Sequence, residues 1–163
     1  MWTDCLGWYN DRPVELQQIV DIRGGEVDQI DIQRTSSFPI LIYTTPLALV
    51  ANAVYHLSSL LLLTHKPRLL RAVTGPRCLL SPMWHAQSIA GIATADNSPE
   101  QWDPILVAGL ILVAKDMTYE AQQSAVLDRL RMISATTGMD LDEEIAELRR
   151  CWNIAVYIGE ITN

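Results

Sequence analysis

The sequence predicts an all-α fold, a compact helical domain, on three observations. Cap residues and prolines recur where helices would start and stop: Thr45-Pro46, Ser81-Pro82, Asp103-Pro104 and Gly138. Residues 119–137 repeat apolar side chains at helical spacing. No strand pattern alternates with a helix pattern, so a parallel sheet is not expected. At 163 residues, 49% hydrophobic and 19% charged, the chain is too apolar for a disordered one and can bury one core. The expected organisation is a single helical domain over 1–163, with a partly irregular N-terminal segment over 1–37.

Trp2 to Asn10 reads as the last turns of a helix, ended by Pro13. Residues 14–37 hold Gly24-Gly25 and only weak alternation at Val27, Ile30 and Ile32, and read as irregular. Phe38-Pro39 and Thr45-Pro46 bracket a short extended run. The first long helix is expected over 46–65, capped by Thr45 and stopped by Pro67. It is apolar almost all round, so it belongs at the centre. A second helix over 82–95, capped by Ser81, is rich in small residues that let a neighbour approach closely. Asp96 to Pro99 reads as a turn, and a third helix follows over 104–116 with Asp103 as its cap. In the fourth, 119–137, Thr118 is the expected cap. Ala121, Val126, Leu127, Leu130 and Ile133 are assigned to the dry side, and Glu120, Gln123, Asp128, Arg129 and Arg131 to the wet side. Asp140 and Glu143 form a capping-box-like start for the last helix, 141–153, whose packing face is Ile145, Leu148 and Trp152.

Charge narrows the function classes. The chain carries 12 basic and 19 acidic residues, a net −7, which argues against a grip on phosphate by this chain and hence against direct DNA binding. The four bases Lys66, Arg68, Arg71 and Arg77 read as a solvated inter-helix loop. Three distant cysteines, Cys5, Cys78 and Cys151, suit a reducing compartment and no zinc site. No Asp, Glu, Lys or Arg lies between Arg34 and Lys66, and Leu47 to Leu63 is strongly apolar. Asn52, His56, Ser58 and Ser59 interrupt that run, which favours a buried helix over a membrane span.

The search for chemistry returns few positions. Glycine-rich phosphate loops, GxSxG, HExxH and CxxC motifs do not occur, and no cofactor or metal is expected. His56 and His65 are nine residues apart, half a turn out of phase, and cannot share a metal ion. Asp96 is too far along the helix from His85 to orient it. The acids Asp142, Glu143, Glu144 and Glu147 are explained by a helix N-terminus. His56, Trp84, His85 and Trp102 are the candidates for lining a ligand pocket. His85 is the sole catalytic candidate, for proton transfer. Against that role stands the commoner fate of such residues, hydrogen-bonded or packed in a core.

His85 to Ala93 (HAQSIAGIA), preceded by Tyr55-His56-Leu57 and the Leu60 to Leu63 run, resembles the fungal-specific transcription factor domain. The resemblance continues in Trp102-Asp103-Pro104, Ala108-Gly109, Leu127 to Arg131, Thr137-Gly138, Glu147-Leu148 and Trp152, with Arg12-Pro13 and Phe38-Pro39 ahead of it. Each motif is weak alone, and their order over roughly residues 8–152 carries the likeness. The family's domain is all-helical, and it is the regulatory region C-terminal to a zinc binuclear-cluster DNA-binding module. That module's six close cysteines and basic linker have no counterpart in this sequence, so DNA recognition does not carry over.

The resemblance implies a regulatory or interaction domain, nuclear as part of a regulator and otherwise cytoplasmic. A protein partner, including a second copy, and a small hydrophobic ligand both stay open as partners. The alternative is a stand-alone relative turned into a cofactor-free enzyme, a cyclase, isomerase or dehydratase acting on a hydrophobic secondary metabolite. A third reading is a structural fragment that only dimerises. Any pocket is expected between the central helix and the two apolar helices after it.

Overall fold

A computed structural model describes residues 2–23, 38–65, 76–95 and 102–153. Six helices form along these segments: α1 (Trp2–Asp11), α2 (Pro46–Thr64), α3 (Pro82–Ala95), α4 (Pro104–Ala114), α5 (Glu120–Thr137) and α6 (Asp142–Cys151). Two short strands, β1 (Val20–Ile22) and β2 (Ile40–Ile42), make an antiparallel pair, and 3-10 turns occupy Val14–Leu16 and Cys78–Leu80. The fold is mainly α, with this small sheet as its one departure among the described residues. The alternation at Val27, Ile30 and Ile32, the bases Lys66, Arg68 and Arg71, and the Asp96 to Pro99 turn lie outside the described residues.

Local chemistry sets most helix ends. Thr45 accepts from the Ala48 N–H at 3.1 Å, and Pro46 supplies a fixed φ where no N–H is needed. Ser81 accepts from the Trp84 N–H at 3.3 Å, and Asp103 from the Ile105 N–H at 2.8 Å. Gly138 ends α5 at φ 74°, in the left-handed region. Two start signals differ from the sequence reading. Tyr119, not Thr118, holds the N-cap position of α5 and gives no side-chain cap. At α6 the N-cap is Leu141, and Asp140 accepts from the Asp142 N–H at 3.3 Å from outside the helix.

The segment read as irregular contains β1, paired Val20 to Ile42, Asp21 to Leu41 and Ile22 to Ile40. Three residues carry too little periodicity to signal a strand; the partner does that work. Leu41 is buried at 1% exposure, while Ile22, Ile40 and Ile42 stay exposed on the outer face. The pair lies across α3 because of one glycine. A Cβ at Gly91 would stand 2.4 Å from the Pro39 carbonyl oxygen and 2.9 Å from its ring, so only glycine lets the strand cross there. At Gly91 the close approach expected of the small-residue helix is made by the Pro39 backbone.

The core joins α2, α3, α4, α5 and α6, with Leu106, Leu110, Val126, Leu130, Ile133 and Leu148 at its centre. Trp152 docks α6 by donating its indole N–H to the Ala114 carbonyl at 3.1 Å. Gln123, assigned to the wet side of α5, is buried instead and donates to the Met117 carbonyl at 2.9 Å. By length and composition α2 is the described helix that could cross a membrane; here it packs on α1, α3 and α4.

Candidate functional site

α2 carries a buried polar stripe. Asn52, Tyr55, His56 and Ser59 follow the i, i+3, i+4, i+7 spacing that places side chains on one helix face. Across from it α3 presents His85 and Ser88, one turn apart and both fully buried. The two helices therefore meet along a seam of polar atoms inside an apolar protein.

His56 and His85 close this seam with Nδ1 to Nδ1 at 3.0 Å, and His85 Nε2 lies 3.0 Å from the Leu79 carbonyl. A carbonyl only accepts, so His85 Nε2 carries its proton. The neutral His85 ring then offers a lone pair at Nδ1, and His56 Nδ1–H donates to it. The chain runs one way, from His56 through His85 into the backbone. Burial first, then His85 and the Arg23 and Arg12 guanidiniums, hold the His56 imidazole well below its ordinary value. Burial also lowers His85, against the opposing pull of the Leu79 bond and with help from Arg23.

Aromatic and cationic groups roof the pair. Trp84 lies tilted 4.9 Å from the His56 ring, and the Arg23 guanidinium sits 4.5 Å above Trp84. Arg23 donates to Ser88 at 3.0 Å and pairs with Asp21 at 2.7 Å, which ties the end of β1 onto α3. From α1, Tyr9 stacks on Tyr55 at 4.5 Å and turns its edge to His56 and Trp84. Arg12 in turn covers Tyr9 at 3.7 Å. Burial pushes the Tyr55 phenol up to about 12; Ser59, one turn away and outside hydrogen-bonding geometry, offsets only part of this. Asn52 donates to Leu16 and Ala48 carbonyls at 2.6 and 2.8 Å, fixing the Val14–Leu16 turn on α2.

Three of the four sequence candidates, His56, Trp84 and His85, thus come together. Trp102 does not join them. It is buried in the helical core, 5.7 Å beneath the Arg129 guanidinium, with its indole N–H unpartnered. Asp142, Glu143, Glu144 and Glu147 fall on α6, with Asp142, Glu143 and Glu144 in its first turn, as the dipole reading expects. Arg23 and Tyr9 belong to the seam and were not singled out from the sequence; Asn52, also in it, stood out there only as a polar break in the apolar run. The spacing of Asn52, Tyr55, His56 and Ser59 was the available signal for α2; nothing local pointed to Arg23 or Tyr9.

The His85 ring is chemically closed, whereas Asn52 Oδ1 and the Tyr55 and Ser59 hydroxyls of the seam are buried with no hydrogen-bond partner among the described residues. Both ring nitrogens of His85 are engaged, and its proton points into a carbonyl that cannot pass it on. Two grooves open elsewhere. One, of about 480 Å³, lies between α1 and α2 beside Trp8 and Val54. The other, of about 360 Å³, lies where the ends of α2 and α4 meet the starts of α3 and α5. Neither is lined by His56, Trp84, His85 or Trp102. No group of three or more His, Cys, Asp or Glu side chains suited to a metal ion occurs among the described residues. Compared with family profiles, curated proteins and solved structures, the chain matches none.

Proposed function

We propose that this chain is a regulatory or interaction domain similar to the fungal transcription factor regulatory region, one that leaves DNA contact to other parts of a regulator. One observation carries the reading. The run that bears most of the resemblance, His85 to Ala93, forms the hub of the fold: His85 and every residue from Ser88 to Ala93 are buried, and α3 touches α2, α4, α5 and β2. A motif in that position acts as scaffold, which suits a domain whose output is its own shape or its partners. The net charge of −7 supports the absence of direct DNA contact. The enzyme alternative draws less support, because His85 would need an open ring nitrogen and has none.

The test tethers the chain to an unrelated sequence-specific DNA-binding module and reads a reporter. The tethered chain should change reporter output relative to the module alone, while the free chain shows no sequence preference in a mobility-shift assay at physiological salt. Reporter output equal to that of the module alone, or one duplex bound in preference and competed only by itself, overturns the proposal.

A further inference from the structure

We propose that the groove at the junction of α2, α3, α4 and α5 binds an uncharged, apolar small molecule that carries a carbonyl group. The proposal stands on the groove itself and goes beyond the regulatory reading. The groove holds about 360 Å³, within the range of roughly 300–1,000 Å³ usual for small-molecule sites. Its walls are hydrocarbon: Leu60 and Leu61 from α2, Met83 and Ala86 from α3, Leu112 and Val113 from α4. Leu61, Met83 and Leu112 are 40%, 66% and 41% exposed, so the walls pay the cost of hydration until something covers them.

One end of the groove is polar in a specific way. Gln122 lines it and is only 4% exposed, yet among the described residues its carboxamide has no hydrogen-bond partner. Its amide is reached from the groove rather than sealed off, so a guest's oxygen can accept from its NH₂ without displacing a protein partner. The start of α5 is at the same place. Its first intrahelical bond runs from the Gln123 N–H to the Tyr119 carbonyl, and Tyr119 provides no side-chain cap. The N–H groups of Glu120, Ala121 and Gln122 therefore have no helical acceptors. Of these residues Gln122 lines the groove, so the helix start and the carboxamide NH₂ together favour an oxygen acceptor.

Charge decides which acceptor. Asp116 lines the groove and Glu120 stands in the first turn of α5, so a carboxylate guest would meet two like charges. A ketone, amide or lactone oxygen accepts the same bonds without that repulsion. Met83 and Met117 give the walls flexible thioethers that adapt to an aromatic or aliphatic body.

The test titrates the full chain with prodan, an uncharged naphthyl ketone whose emission reports the polarity around it. Saturable binding at one site with a blue shift is expected. Gln122→Leu should weaken it about fivefold, the worth of one hydrogen bond, while the free variant melts no lower than the parent. Leu112→Glu, at an exposed position that tolerates the change, should weaken it about tenfold. The analogue with a carboxylate in place of the ketone should bind less tightly than prodan. Absence of saturable binding, or parental affinity in both variants, overturns the proposal. Neither outcome bears on the reporter assay, so the two proposals fail separately.

Discussion

Two regions meet along α3 and are held by different physics. On one side His85 and Ser88 meet α2, the Cys78–Leu80 turn and the residue after β1 through directed contacts: imidazole to imidazole, imidazole to carbonyl, guanidinium to hydroxyl. On the other, Ile89, Ile92 and Ala93 join the hydrocarbon of α4 and α5. The dry side gains from any close packing. The polar seam gains only when each donor finds its acceptor, and then only modestly, so its effect is to fix how α2 and α3 are set against each other. The difference should show as a contrast in how each region answers to truncation, to double substitution, to pH and to an added methyl group.

The largest effect belongs to the dry side. Leu130 is 0% exposed at the middle of α5, among side chains that cannot all move in to fill a void. Leu130→Ala should cost about 3–4 kcal/mol in urea unfolding, through lost transfer energy and the remaining cavity. A cost under about 1 kcal/mol would mean that the helices close up freely and that the core is not tightly packed.

The seam should answer less strongly and less additively. His85→Leu removes two hydrogen bonds and strands the His56 N–H and the Leu79 carbonyl in a buried site, at a cost of about 2–3 kcal/mol. Adding His56→Leu removes one of the stranded groups, so the double variant should be destabilised by clearly less than the sum of the two single changes. Strict additivity in the four-way cycle would show that the rings pack side by side without a shared hydrogen bond.

The same contrast explains what the sequence could disclose. Helix ends at Thr45, Ser81, Asp103 and Gly138 are decided within a few residues, so their chemistry is legible in the chain. The dry face of α5 is legible from Val126 to Ile133, where burial repeats with the helix period, but Ala121, assigned to that face, is exposed in the first turn. The wet face was legible only in part: Gln123 turns inward because the Met117 carbonyl needs a donor, which depends on how α4 ends. β1 is legible only through its partner β2, and that pairing depends on Gly91 yielding space to Pro39. The seam unites His56 with His85 across two helices and recruits Arg23 from just past the end of β1. His56 and His85 could be nominated as polar residues in apolar surroundings, but their mutual bond could not. The joining of Trp84 to that pair, and the separation of Trp102 from it, likewise depend on helix rotation about axes that local sequence does not set.

Acid should weaken the seam while sparing the dry side. His56 and His85 are both held below their ordinary pKa in the folded protein, chiefly by burial. Below about pH 6.5 the unfolded chain binds protons at these rings that the folded chain refuses, so stability is full above that pH and falls beneath it. The expected loss between pH 7.5 and 6 is about 1 kcal/mol. The chain with both histidines changed to leucine should lose distinctly less over the same window. An identical pH slope in the two proteins would place the acid sensitivity elsewhere.

The smallest effect tests how much room the dry side keeps. A Cβ added at Gly109 on α4 would meet Ile89 Cγ2 at 3.4 Å and Leu57 Cδ2 at 3.8 Å, which is ordinary contact. Alanine also restricts the unfolded chain and suits a helix interior better than glycine, by up to about 1 kcal/mol. Part of that gain is offset by the squeeze on Ile89, so Gly109→Ala should move stability by less than about 0.5 kcal/mol, and upward. Gly91 has no such latitude, because its neighbour is a backbone carbonyl rather than the end of a side chain. A loss above about 1 kcal/mol for Gly109→Ala would show that α3 and α4 are as tightly fitted as α3 and the strand, and that hydrocarbon packing here is as position-specific as the polar seam.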